Sequence, residues 1–164
     1  MSTDSPPVDN QQNDFNQMLV ESQDRTEEVL DEVERYTSFD TDNLDIAMMN
    51  GPKNMSRMQR LFYSEGTKLK RLQDTLKTMR LNRWKFYQGK LPSDFYRKHP
   101  LQETVIKSDV DKYIDADPMI TNMNRLINEA EHRVKAIENG IKCLQTRGYD
   151  VKTILDYKRF TSGT

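Results

Sequence analysis

The sequence predicts a mainly α-helical chain, two long heptad-patterned helices plus a short C-terminal helix, that assembles with further copies of itself. Three observations carry this. Apolar residues recur at alternating steps of three and four in two separate stretches, the signature of helices that bury one stripe. Helix formers dominate, with six Gly and six Pro in 164 residues. Only 35% of the residues are hydrophobic and mean hydropathy is −0.90. That is below the usual globular share, so helices packed against partner chains fit better than a self-contained globule.

In chain order, the first fifteen residues are rich in Pro, Asn, Gln and Asp and read as disordered. Met18, Leu19, Val29, Leu30, Val33 and Tyr36 then mark an acidic amphipathic helix. The first long helix follows Pro52, with a seam of Met55, Met58, Phe62, Glu65, Leu69, Leu72, Leu76, Met79, Arg83 and Phe86. Glu65 and Gly66 interrupt it as a weak point, and Gly89 followed by Pro92 stops it. The stretch 89–100 contains two further helix breaks, Pro92 and Pro100, and reads as a loop. Thr104, Val105, Ile106 and Lys107 are β-branched enough to allow one short extended segment.

The second seam is Ile120, Met123, Ile127, Ala130, Val134, Ile137, Ile141 and Leu144, with no polar exception. Asp117 suits its N-cap and Pro118 its first position, where a missing N–H costs nothing. Gly148 suits a left-handed C-cap, after which Asp150 caps a short final helix bearing Val151, Ile154, Leu155, Tyr157 and Phe160.

Several classes of function drop out on composition. A single cysteine, Cys143, and two histidines, His99 and His132, cannot build a disulfide framework or a structural zinc cluster, and no cofactor is expected. Asp109, Asp111, Asp115 and Asp117 lack the turn glycine and closing glutamate of a calcium loop, so capping and solvation are their expected roles and catalysis is not expected. Neither a signal-like N-terminus nor a stretch near the ~20 apolar residues of a membrane span is visible. The chain reads as soluble and cytoplasmic. The Asn54-Met55-Ser56 sequon is then a chance match.

The net charge of −1 conceals a strong segregation. Residues 1–52 hold 13 acids and two bases, residues 53–100 hold 13 bases and three acids, and residues 101–164 hold ten of each. A basic helix beside an acidic arm suits a polyanion, because like charges along one helix repel one another unless a counter-charged ligand is present. Cations and rings interleave at the end of the basic helix and in the following loop: Arg83, Trp84, Lys85, Phe86, Tyr87, Lys90, Phe95, Tyr96, Arg97 and Lys98. A single-stranded nucleic acid needs that mixture, with phosphates on the cations and unpaired bases on the ring faces. Phe86 lies on the seam and reads as core. The candidate nucleic-acid-binding residues are Lys77, Arg80, Arg83, Trp84, Lys85, Tyr87, Lys90, Arg97 and Lys98.

Arg83-Trp84-Lys85-Phe86-Tyr87-Gln88-Gly89-Lys90, Thr104-Val105-Ile106-Lys107-Ser108-Asp109-Val110-Asp111, and the run from Ala136 through Gln145-Thr146-Arg147-Gly148-Tyr149-Asp150 to Phe160 resemble the UvsY family, the recombination mediators of T4-like bacteriophages. The resemblance extends from about Phe39 to the C-terminus. It divides the chain into an acidic extension, 1–38, and a single helical mediator and oligomerisation domain, 39–164. It implies a non-enzymatic homo-oligomer, a heptameric ring in the family, that binds single-stranded DNA in the host cytoplasm. It also implies two protein partners, a UvsX-like phage recombinase and the phage single-strand-binding protein that the recombinase displaces. Arg83 matches the arginine of the family's DNA-binding stretch. Leu81 stands where that stretch has a lysine, and Arg80 or Lys85 would supply the missing charge.

Three other readings stand beside this one. A coiled-coil scaffold or adaptor without nucleic acid would pair the basic helix with the acidic segment 21–45 of its own or a neighbouring chain. A membrane-surface helix fits poorly, because the apolar stripe is narrow and protein-facing. Finally, Glu21, Asp24, Glu27, Glu28, Asp31, Glu32 and Glu34 would either mimic DNA and cover the basic surface or dock one of the protein partners.

Overall fold

A computed structural model describes residues 8–101 and 105–163, with side chains from residue 13 onward. Every regular element among the described residues is a helix: α1 (Val8–Thr37), α2 (Leu44–Tyr87), α3 (Ser93–Lys98), α4 (Val110–Ala116) and α5 (Pro118–Ser162). The chain divides into two compact units. One joins the described part of residues 1–20 to Leu69–Asn128, and the other joins Glu21–Lys68 to Glu129–Thr164.

In the second of these units, α1, α2 and α5 bury Val29, Met58, Leu61, Ile137 and Leu144 together, with Val33, Tyr36, Met55, Phe62 and Ile141 packed around them. Val29, Met58 and Ile137 are fully buried, each worth about 1.5–3 kcal/mol of transfer free energy. Three helices come close at Gly140, where an added Cβ would lie 2.5 Å from Met58 Cε, 3.0 Å from Val33 Cγ1 and 3.3 Å from Thr37 Cγ2. The connection after α1 is an Asx-type turn: the Asp42 N–H and the Asn43 amide donate to the Asp40 carboxylate. Lys158 on α5 ties this turn down through the Thr41 carbonyl at 2.6 Å and Asp42 at 3.2 Å.

The other unit has two apolar clusters. Met123, Leu126 and Ile127 of α5 pack with Phe15 and Leu19 of α1 and Leu69, Leu72, Leu76 and Met79 of α2. Val110 and Ile114 of α4 and Ile120 of α5 pack with Leu76, Met79, Trp84, Tyr87 and Val105.

Several sequence expectations are corrected. From Val8 the chain is helical, so disorder does not extend over 8–15, while residues 1–7 lie outside the described residues. Pro52 does not start α2, which begins at Leu44 and runs through it. Proline has no N–H to donate to the Met48 carbonyl one turn back, but Met48 is solvent-exposed, and Gly51 lacks the Cβ that a following proline would crowd. Val105, Ile106 and Lys107 form no strand, and Thr104 lies outside the described residues. The loop 89–100 contains the short α3.

Gly148 does not end a helix either. Only Gly89 and Gly163 have positive φ among the described residues, and α5 continues unbroken through Asp150 to Ser162, so there is no separate final helix. Burial of Val151 and the anchoring of Lys158 offset the roughly 1 kcal/mol that glycine costs inside a helix. Gly89, by contrast, stops α2 as expected. At φ +69° it lets Lys90 N–H bond Lys85 O at 2.9 Å and Gly89 N–H bond Phe86 O at 3.1 Å, the paired bonds of a Schellman ending.

Candidate nucleic-acid interface

All nine candidate residues fall in the unit that contains Leu69–Asn128. The last turns of α2 present six of them on two sides, Lys90 follows the helix end, and Arg97 and Lys98 lie on α3. One side faces the junction of α4 and α5, where Asp117 forms the whole connection. Asp117 is buried, and one of its oxygens caps α5 by accepting the Met119 N–H at 2.9 Å. The other oxygen takes Arg83 Nε at 3.0 Å and the Tyr87 hydroxyl at 3.0 Å. Arg83 also reaches the Met119 sulfur and lies over the Phe86 ring. Burial pushes the Tyr87 phenol up to about 12, and the adjacent Asp117 charge and the hydrogen bond to it add to the rise. One turn earlier, Arg80 bonds Asp115 at 2.8 Å at the surface.

The opposite side of α2 is open. Lys77, Leu81 and Lys85, spaced four apart, form an exposed row. Asp74 joins it by pairing with Lys70 at 3.5 Å and Lys77 at 3.0 Å; its carboxyl is lowered mainly by the Lys77 hydrogen bond. Lys85 and Lys98 make no ion pair among the described residues. Lys90 sits 3.9 Å above the Trp84 ring, a cation–π contact. Arg97 pairs locally with Asp94 at 2.6 Å. Seven cations against the four carboxylates Asp74, Asp94, Asp115 and Asp117 leave three positive charges in excess.

The rings serve packing more than display. Trp84 and Tyr87 lie against the Val110, Ile114 and Ile120 cluster, and Tyr87 meets Tyr113 at 5.8 Å. Phe86 stacks on Tyr96 at 5.7 Å and takes Phe95 edge-on at 6.0 Å. Tyr96 donates its hydroxyl to the Phe86 carbonyl at 2.7 Å, which fixes α3 against the end of α2. The cations are visible in the sequence, but their acceptors are not. Asp117 carried a signal only for its role as a cap, and nothing in its spacing announced a bond to Arg83, 34 positions away by number.

No group of three or more His, Cys, Asp or Glu among the described residues is placed to hold a metal ion. Asp109, Asp115 and Asp117 bind Lys112, Arg80 and Arg83 instead. No described helix is long and apolar enough to cross a membrane.

A protein of long packed helices, with an excess of cations at the end of its basic helix, is of the kind that meets a polyanion through side-chain charge. Residues 32–164 match the family described as "Recombination, repair and ssDNA binding protein UvsY", and the chain belongs to the UvsY family, in agreement with the resemblance seen in the sequence. The match begins within α1. No curated protein and no solved structure matches the chain.

Proposed function

We propose that this chain is a single-stranded-DNA-binding recombination mediator of a bacteriophage, acting in the host cytoplasm. It organises the strand and helps a UvsX-like recombinase replace the single-strand-binding protein, without catalysis of its own. The family match over residues 32–164 carries the reading, and the excess of cations at the end of α2 supports it. A homo-oligomer, a heptamer by analogy with the family, would repeat the cationic surface around a ring. Linked weak sites then act through effective concentration, so each subunit need bind only modestly. Lys77 and Lys85, on the open side of α2, are the phosphate contacts of this reading. Arg83 acts from behind them by fixing the end of α2 on Asp117.

Light-scattering mass combined with titration of a labelled single-stranded oligonucleotide at two salt concentrations tests both parts. Binding is expected to fall with a log-log salt slope near −0.7 per phosphate neutralised. Lys77→Ala with Lys85→Ala is expected to weaken it without changing the mass. A slope near zero refutes the DNA reading and leaves the coiled-coil scaffold, although Arg80 and Arg83 pair with Asp115 and Asp117 and not with the acidic segment 21–45. Removing residues 1–38 is a poor test of the acidic segment, since it also removes Val29 from the core and Arg25 from Glu65.

A further inference from the structure

A second group of basic residues without ion pairs lies outside the candidate interface. Lys53, Arg57 and Arg60 are exposed on α2 at spacings of four and three, and so share one face of the helix over about 10 Å. Arg35, in the last turn of α1, joins Arg57 and Arg60 at an open groove of about 570 Å³ that is also lined by Glu32, Tyr36 and Leu61. None of the four cations forms an ion pair among the described residues. Glu32, the one carboxylate in the lining, is shared with Arg25 at 3.7 Å. The Arg57 guanidinium lies over the Tyr36 ring, 5.4 Å from its centre. That contact orients a flat cation on an aromatic support.

The geometry points to a second single-stranded-DNA contact in this groove, with Arg57 and Arg60 on successive phosphodiesters, Arg35 beside them, Lys53 about one turn before Arg57 on the same helix face, and an unpaired base stacked on the Arg57–Tyr36 pair. It rests on the DNA-binding reading and extends it to the unit built from Glu21–Lys68 and Glu129–Thr164. Three chemical features favour a phosphodiester chain over an acidic protein segment. Planar guanidinium groups bind phosphate oxygens in a bidentate manner, an arginine plane on a tyrosine is a platform for a base, and an open, shallow, polar groove has no apolar anchor for a protein side chain. Leu61 is its only aliphatic lining residue, and it is buried.

The test uses the full chain and a labelled oligothymidylate, comparing wild type with Arg57→Ala/Arg60→Ala and Arg57→Lys/Arg60→Lys between 50 and 200 mM salt. Two single-strand phosphate contacts contribute about 1.4 to the log-log slope. The fourfold rise in salt should therefore weaken wild-type binding about sevenfold more than it weakens the alanine variant. The lysine variant should recover the slope but not the full affinity, because it keeps the charge and loses the flat, bidentate group. Circular dichroism should be unchanged, since both side chains are exposed. An unchanged slope in the alanine variant, while Lys77→Ala/Lys85→Ala still weakens binding, overturns this inference and leaves the proposed function standing. An unchanged slope with a changed light-scattering mass overturns it in favour of a protein interface. No salt-dependent binding by wild type overturns the proposed function itself.

Discussion

Glu65 sits on the apolar seam of α2, and replacing it should expose how that unit is held together. Its side chain is fully buried. One oxygen accepts from Arg25 Nε at 3.1 Å, Arg25 Nη2 at 3.0 Å and Lys68 Nζ at 2.8 Å, and the other accepts from Arg133 Nε at 2.9 Å. Arg133, itself buried, also donates to the Ser22 carbonyl, the Ser22 hydroxyl and the Thr26 hydroxyl at 3.0–3.1 Å, so one guanidinium joins α1, α2 and α5. In Glu65→Leu the half-exposed Lys68 and the partly exposed Arg25 turn to water. Arg133 cannot, and is left as an uncompensated buried cation.

Breaking a buried pair from one side costs about 3–5 kcal/mol, whereas replacing both members with apolar groups of similar volume is often neutral or stabilising. Urea unfolding of Glu65→Leu should therefore show a loss of about 3–5 kcal/mol, and Glu65→Leu/Arg133→Met should be more stable than Glu65→Leu alone. A loss under about 1 kcal/mol, or additive single substitutions, would refute the view that the two charges act as one unit. The pH dependence has a defined sign. Burial pushes the Glu65 carboxyl up, but hydrogen bonds from Lys68, Arg25 and Arg133 outweigh it and hold the group below its ordinary 4.5. The carboxylate's contribution is then complete above the unfolded value and is lost as pH falls through the lower folded one. Wild type should lose stability on acidification below about pH 4.5 more steeply than Glu65→Leu/Arg133→Met.

The remaining predictions concern single positions. Gly140→Leu should destabilise by about 1–3 kcal/mol through overpacking against Met58, Val33 and Thr37, while Gly148→Ala, with nothing within 4 Å, should stabilise by about 0.5–1 kcal/mol; thermal melts decide both. Arg147 donates to the Tyr36 and Thr37 carbonyls at the end of α1 and covers the Phe39 ring, so Arg147→Met should lose about 1.5–3 kcal/mol in denaturant unfolding, and wild-type stability in that variant would refute the capping role. Tyrosinate absorbance, taken as wild type minus Tyr87→Phe, should place the Tyr87 phenol near 12, and Asp117→Asn should bring it down. Because the folded value is above the unfolded one, that tyrosine stabilises the fold fully below about pH 10, and its contribution fades as pH rises through 12.

What could be read in the sequence depended on whether the deciding partner lay nearby along the chain. The seam from Ile120 to Leu144 was legible because every position is apolar, and six of its eight residues are buried while Val134 and Ile141 are half-buried. Asp117 before Pro118 and Gly89 after Tyr87 were legible for the same reason, since caps are set by a few adjacent residues. Pro52 and Gly148 misled because a breaker acts only where tertiary contacts fail to overrule it. Exposure of Met48 in one case and burial of Val151 in the other removed the penalty or outweighed it. Glu65 looked like a flaw in a stripe and is instead the acceptor for Arg133, 68 positions later, a pairing that no local pattern encodes.

The candidate interface divides along the same line. That residues 53–100 are strongly basic is a property of composition, visible without coordinates. Which of those charges are already paired within the chain is set by where the carboxylates fall. Arg83, singled out by family resemblance, is held by buried Asp117, while Lys85, Lys53, Arg57 and Arg60 carry no ion pair among the described residues. A cation already bound to a buried carboxylate must give up that bond before it can serve a phosphate, and the cost is that of stranding the carboxylate. An exposed cation without an ion pair gives up only water. On the proposed function, phosphate would therefore meet the exposed lysines and arginines of α2 at less cost than Arg83, whose bond to Asp117 holds the C-terminal end of that helix.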